Sequence, residues 1–273
     1  MALTKVTNDL LTLDAAQTSI TSVGTLTGFT STGIDDNATS NAITIDASEK
    51  VGINLANPSA YYADFSNLVL GNTSANSGMT IVSSTSNSGT IAFSDGTSGS
   101  EAYRGYIQYD HGADTLAFGS LATQRMVIDA SGRVTMPSQP AFLIRAAGLN
   151  NLPLGYSTLT FDNEKFDVGA NFASNTFTAP VTGKYQLSFI AMFTAIDNNA
   201  SFIDFLLTTS NNVFENAQDF GVHTGTAVYS SFGISILADM DAGDTAICQY
   251  YQSGGNATAD FSGASYFSGY LAC

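Results

Sequence analysis

The run from Lys184 to Phe193 constrains the fold of this chain more than any other. Tyr185, Leu187, Phe189, Ala191 and Phe193 take alternate positions, with Lys184, Gln186 and Ser188 between them. That period of two sets one face of a β-strand against a core. Ile190 and Met192 make the second face apolar as well, which predicts a strand buried on both sides near one end, at a subunit interface beside the core. Further strands are read at Phe202–Leu207, Ser230–Leu237, Thr245–Gln252 and Tyr266–Leu271, with turn-rich segments between them and no long amphipathic helix. Many antiparallel strands over about 130 residues predict a sandwich of jelly-roll or immunoglobulin-like topology, and periodicity does not choose between the two.

Ahead of this region the chain reads differently. Ser138-Gln139-Pro140 is a candidate hinge, and between Ala56 and Gly119 short apolar clusters alternate with runs such as Ser83–Gly89 and Gly96–Ser100. Strands so short bury little surface by themselves, and association of three chains would solve that problem. The run Ile43-Thr44-Ile45-Asp46-Ala47-Ser48-Glu49-Lys50-Val51-Gly52-Ile53 recurs as Met126-Val127-Ile128-Asp129-Ala130-Ser131-Gly132-Arg133-Val134-Thr135-Met136. Both copies read as strand, turn, strand, with Asp and Ser forming the turn through side-chain bonds to their own backbone. Nearer the N-terminus, Ile20, Val23, Leu26 and Phe29 recur every third position in a Thr/Ser/Gly background, a period that fits a narrow shaft of intertwined chains or a frayed linker.

Charge removes several classes of function. The formal net charge is -15 with eight Lys and Arg residues, no two adjacent, so the basic track that nucleic-acid binding requires is missing. Anionic membrane surfaces are disfavoured on the same ground, and no apolar run approaches the roughly 20 residues of a membrane span. Asp9 and Asp14 interrupt what would have to be the apolar core of a signal peptide, which predicts assembly in a host cytoplasm and release inside a particle. Cys248 and Cys273 form no C-x-x-C pair and no metal cluster with His111 and His223. Free thiols suit a reducing compartment, and a bridge within or between chains stays open.

Particular residues carry a resemblance. Phe142, Leu159-Thr160-Phe161-Asp162, Phe166-Asp167, Asn171-Phe172, Phe177–Tyr185, Asp239–Asp244 and Phe267–Leu271 resemble, in order and spacing, the globular head of complement subcomponent one-q, of the tumour-necrosis-factor-like superfamily. The resemblance spans residues 141 to 273. It implies a compact trimer of ten-stranded jelly rolls, aromatic residues filling the core and the threefold axis, and binding rather than catalysis. Some members carry calcium in the segment matching Asn198 to Asn212, where this chain has the single acid Asp204. The first half resembles bacteriophage tail and head fibres, through Ser22–Thr27, Tyr106–His111 and Met126–Val134.

Enzymatic chemistry finds little support. There is no Gly-x-Ser-x-Gly elbow and no phosphate-cradling Gly loop. Asp35-Asp36, Asp110 with Asp114, and Asp239, Asp241 and Asp244 are the acidic groups to compare with glycosidase or calcium geometry, and such neighbours in Gly-rich turns usually face solvent. For recognition, Tyr229, Tyr250, Tyr251 and Tyr266 in Ser/Gly/Asn surroundings are the candidate receptor-binding residues, since an aromatic face with nearby amides grips a sugar ring.

The expectation is therefore an all-β, non-enzymatic virion fibre or spike without cofactor or metal. Residues 1–33 would attach to the particle, 34–140 would form a β-rich trimeric stalk, and 141–273 a jelly-roll head that binds a host-surface glycan or protein. A capsid decoration fibre, a cell-surface adhesin and a depolymerase are the rival readings.

Overall fold

The computed structural model describes residues 42–221 and 229–273. The 1–33 segment, the Ile20–Phe29 run, Asp35-Asp36 and His223 lie outside them. The chain divides into two compact units between Thr80 and Ile81.

In the first unit, β1 (Ile43–Ile45) and β2 (Val51–Ile53) form an antiparallel hairpin, and β3 (Leu68–Leu70) joins β2 in parallel. The hairpin turn is made by one carboxylate. Asp46 Oδ1 accepts the backbone N–H groups of Ser48 (2.8 Å) and Lys50 (3.1 Å), an Asx arrangement that closes the turn locally.

The second unit opens with an antiparallel sheet of β4 (Ser88–Phe93), β5 (Gly105–Asp110), β6 (Thr115–Ser120), β7 (Thr123–Ile128) and β8 (Val134–Thr135), in that order. The β7–β8 turn repeats the first hairpin bond for bond. Asp129 Oδ1 accepts Ser131 N–H (2.9 Å) and Arg133 N–H (3.0 Å), as Asp46 does for its own partners. In both turns the Asp N–H also donates to the carbonyl four residues on, at 3.0 Å. Glu49 and Gly132 occupy the same left-handed position, at φ 61° and 78°, which Gly adopts freely and Glu only with strain. The repeat predicted from sequence is thus a repeat of hydrogen bonds. The two serines enter it through their backbone N–H groups.

Register makes this sheet two-faced. Ile91, Ile107, Phe118 and Met126 lie opposite one another across four strands, and Tyr109, Leu116, Ile128 and Val134 form a second rib on the same face. The other face carries Thr90, Gln108, Ala117, Val127 and Thr135. Within the chain Ile107, Tyr109 and Val134 on the apolar face remain 36%, 39% and 55% exposed.

From Ala141 the chain builds a sandwich. Its strands are β9 (Ala141–Ala146), β10 (Gly155–Thr158), β11 (Phe161–Val168), β12 (Phe172–Ala173), β13 (Thr176–Thr178), β14 (Gly183–Thr194), β15 (Ala200–Thr209), β16 (Val213–Gln218), β17 (Ser230–Met240), β18 (Thr245–Gly254), β19 (Asp260–Phe261) and β20 (Tyr266–Leu271). One sheet has the order β11-β9-β20-β14-β17, with β19 on β14. The other has the order β12-β13-β18-β15-β16, with β10 on β18. Four pairings are nested: β9 with β20, β13 with β18, β14 with β17, and β15 with β16. A long hairpin wrapped into two sheets in this way is a jelly roll, so topology makes the choice that periodicity left open.

Strand alternation fills the space between the sheets. Tyr185, Leu187, Phe189, Ala191 and Phe193 of β14 point inward as predicted, all at most 1% exposed. Phe193 meets Phe205, Tyr250 and Phe261 with ring centroids 4.9, 5.3 and 5.3 Å away. Tyr185 is fully buried, and its hydroxyl donates to the Val181 carbonyl at 2.8 Å, satisfying a group that burial would otherwise penalise. On the opposite face of β14, Ile190 and Met192 are half-buried. At the sandwich end, Asp197 clasps two loops: its carboxylate accepts the backbone and side-chain N–H groups of both Asn199 and Asn256.

Candidate functional site

Strand β18 decides which of the candidate tyrosines reach the surface. Ala246, Cys248, Tyr250 and Gln252 point into the core, and Ile247, Gln249 and Tyr251 point out. Tyr250 is fully buried, stacked on Phe193, with its hydroxyl donating to Gln252 Oε1 at 2.5 Å. Its candidacy as a receptor-binding residue is therefore corrected: adjacent residues of a strand face opposite ways, so Tyr250 and Tyr251 cannot share a surface. Burial also pushes the Tyr250 phenol well above its ordinary pKa.

Tyr251 sits in a row across four strands. Register places Tyr156 of β10 opposite Tyr251 of β18, Tyr251 opposite Asp204 of β15, and Asp204 opposite Ala217 of β16. The Tyr156 and Tyr251 rings lie 4.6 Å apart at 46°, and Phe202, two residues before Asp204, lies 5.5 Å from Tyr251 at 36°. Tyr156 is 68% exposed and Phe202 is 39% exposed.

Beside these rings lies an acid pair. Asp204 is only 7% exposed and its Oδ1 has no hydrogen-bond partner. Burial pushes its carboxyl above the usual range, and the carboxyl of Glu215, within hydrogen-bonding reach, pushes it further. Glu215 itself is exposed at the surface of β16. Strands β10, β15, β16 and β18 carry no Lys, Arg or His.

The other candidates lie elsewhere. Tyr266 of β20 points out from the opposite sheet and lines a groove of about 490 Å³ together with Leu143, Arg145, Phe166, Gln186 and Tyr270. Tyr229 is 69% exposed just before β17. Tyr251, Tyr266 and Tyr229 thus do not form one site. Tyr156, Phe202 and Glu215 were not among the sequence-based candidates, and Asp204 entered only as the single acid of the segment compared with calcium sites.

The acidic turns serve the backbone. Asp244 Oδ2 accepts from Asp241 N–H and Asn211 Nδ2, Asp239 pairs with Lys184 at 2.6 Å, and Asp110 Oδ1 accepts from Gly112 and Ala113 N–H. Asp114 accepts the Tyr109 hydroxyl, and His111 sets its ring edge against Tyr109 at 4.9 Å. Among the described residues no three His, Cys, Asp or Glu side chains group as metal ligands. Cys248 is buried and Cys273 exposed, both as free thiols.

The class defined by these strands is an all-β protein whose C-terminal half is a jelly roll. Among solved structures, the chain is similar to the globular domain of zebrafish complement 1qA protein, at 15% identity and a TM-score of 0.38 over 50% of this chain and 98% of that one. It is also similar to murine APRIL in a crystal structure at pH 8.5, at 9% identity and a TM-score of 0.36 over 49% of this chain and 98% of that one. The nested strand order, rather than these likenesses, defines the fold. No protein-family model and no curated protein matches the chain.

Proposed function

We propose that this chain is the subunit of a homotrimeric fibre or spike on a virus particle, assembled in the host cytoplasm. Residues 1–33 attach to the particle, 34–140 form the stalk, and 141–273 form a head that binds a host-surface glycan or protein. The observation that carries this reading is the apolar face of the β4–β8 sheet. Its two four-residue ribs have only partial cover within the chain, and a sheet face of this composition is stable in water when another surface covers it.

Copies of the same chain supply that surface with the right chemistry. Three sheets turned apolar side inward would bury all three faces against one axis, and closed symmetry limits the assembly. In the head, the half-buried Ile190 and Met192 on the outer face of β14 offer a further apolar surface for self-association. Trimerisation multiplies weak contacts: three heads on a fibre and many fibres on a particle raise the effective concentration of each binding site.

The adhesive function is tested with purified full-length chain on cells that the particle infects. The expected outcome is saturable binding to those cells and competition with particles. A chain that neither binds nor competes contradicts the adhesive role.

A further inference from the structure

We infer that the outer face of the β12-β13-β18-β15-β16 sheet holds a site for an organic ammonium group, built from Tyr156, Tyr251 and Phe202 around the Asp204–Glu215 acid pair. This deepens the reading of residues 141–273 as a binding head by naming the ligand chemistry, and it rests on that reading but not on trimerisation.

Each component of the surface presents negative potential. Tyr156 and Tyr251 are ring neighbours at 4.6 Å and Tyr251 and Phe202 at 5.5 Å, and aromatic ring faces attract cations through their quadrupole. Asp204 stands directly opposite Tyr251 in the register, where side chains of paired strands share a face and come within about 5.5 Å at Cβ. Its Oδ1 is buried without a donor, which is costly for a carboxyl unless another group supplies the bond.

Among the described residues no donor reaches that oxygen. The titratable groups facing the pair from its own and adjoining strands are Tyr156 of β10, Tyr251 of β18, Glu215 of β16 and Asp204 itself, and no basic residue occurs on those strands. A protonated amine fits on both counts. Its N–H groups satisfy the carboxyl oxygens, and its carbon substituents lie against the rings. A neutral sugar would satisfy the oxygens but would leave the charge of the pair uncompensated.

Glu215 is exposed beside Asp204. A bound cation favours the charged form of Asp204, whose carboxyl burial raises above its ordinary range, so uptake of the cation tightens as pH rises through that raised value.

The test is saturation-transfer NMR on the full-length protein, with n-butylammonium as the cation and n-butanol as its neutral isostere. Saturable binding of butylammonium and none of butanol is expected. Tyr251→Ala should weaken it about tenfold through the lost ring face, and Asp204→Asn by about tenfold or more through the lost charged bond. Tyr251→Phe, which keeps the ring, should retain it, as should Tyr266→Ala on the opposite sheet. Equal binding of butanol, binding of methyl galactoside in place of butylammonium, or no binding with the wild-type protein folded by circular dichroism overturns the proposal. A protein that light scattering shows to be monomeric yet binds butylammonium supports this site while contradicting the fibre.

Discussion

At the scale of single residues, two buried aspartates should respond to pH with opposite sign. Hydrogen bonds from Asn199 and Asn256 hold the Asp197 carboxyl below its ordinary value. The folded state therefore binds this proton less readily than the unfolded chain. Its contribution is complete above the unfolded pKa of about 3.9 and is lost as pH falls through the lower folded value. Asp197→Ala leaves four N–H donors short of their acceptor, and a loss of about 2 kcal/mol is expected in urea unfolding at neutral pH. Asp204 has the reverse sign, because burial and Glu215 raise its pKa. Its cost to stability grows as pH rises from the unfolded value through the raised folded one. Asp204→Asn should raise the melting temperature at pH 7 and leave it nearly unchanged at pH 3. A variant less stable than wild type at both pH values would contradict this assignment.

At the scale of strands and sheets, the core of the head and the apolar face of the preceding sheet make separate predictions. Phe193 is fully buried among Phe205, Tyr250 and Phe261. Phe193→Ala should cost about 3–5 kcal/mol in denaturant unfolding. Ile107 stands within the rib Ile91–Ile107–Phe118–Met126, whereas Gln108 faces the other way. Ile107→Glu would place a charge in an apolar contact between copies, so the assembly should fall from three chains to one while the β-sheet circular dichroism signal persists. Gln108→Glu should leave the mass unchanged. If Ile107→Glu assembles as wild type does, that face is not the contact.

Much of this architecture was legible because local pattern dictated it. The alternation of Lys184–Phe193 gave β14 with its inward face correct, and the Asp-x-Ser repeat gave both hairpins. Cys248, Tyr250 and Gln252 alternate as plainly as β14 does, so the burial of Tyr250 was also readable from sequence. The Ser/Gly/Asn surroundings misled, since they describe the loop after Gly254 rather than the strand. The candidate site was not readable in the same way. Tyr156, Tyr251, Asp204 and Glu215 lie on four strands far apart in sequence, and only the pairing register brings them into one row. Jelly-roll topology was not in the periodicity either, because nesting is a relation between strands and not a property of any one.

At the scale of the whole molecule, every multivalent feature of the proposed fibre depends on the number of chains. The jelly roll has a complete aromatic core within one chain and needs no partner for it. The β4–β8 sheet does not: Ala117 is its only residue among the buried hydrophobics, and its ribs of large apolar side chains remain partly open to water. A fibre built on this sheet requires self-association, and the mass of the purified full-length chain tests that most directly. Light scattering on a sizing column should return three times the chain mass of 28.5 kDa, with elution earlier than a compact globule of that mass. A mass of one chain, constant with concentration, would contradict the trimer and leave a head of jelly-roll fold without the fibre beneath it.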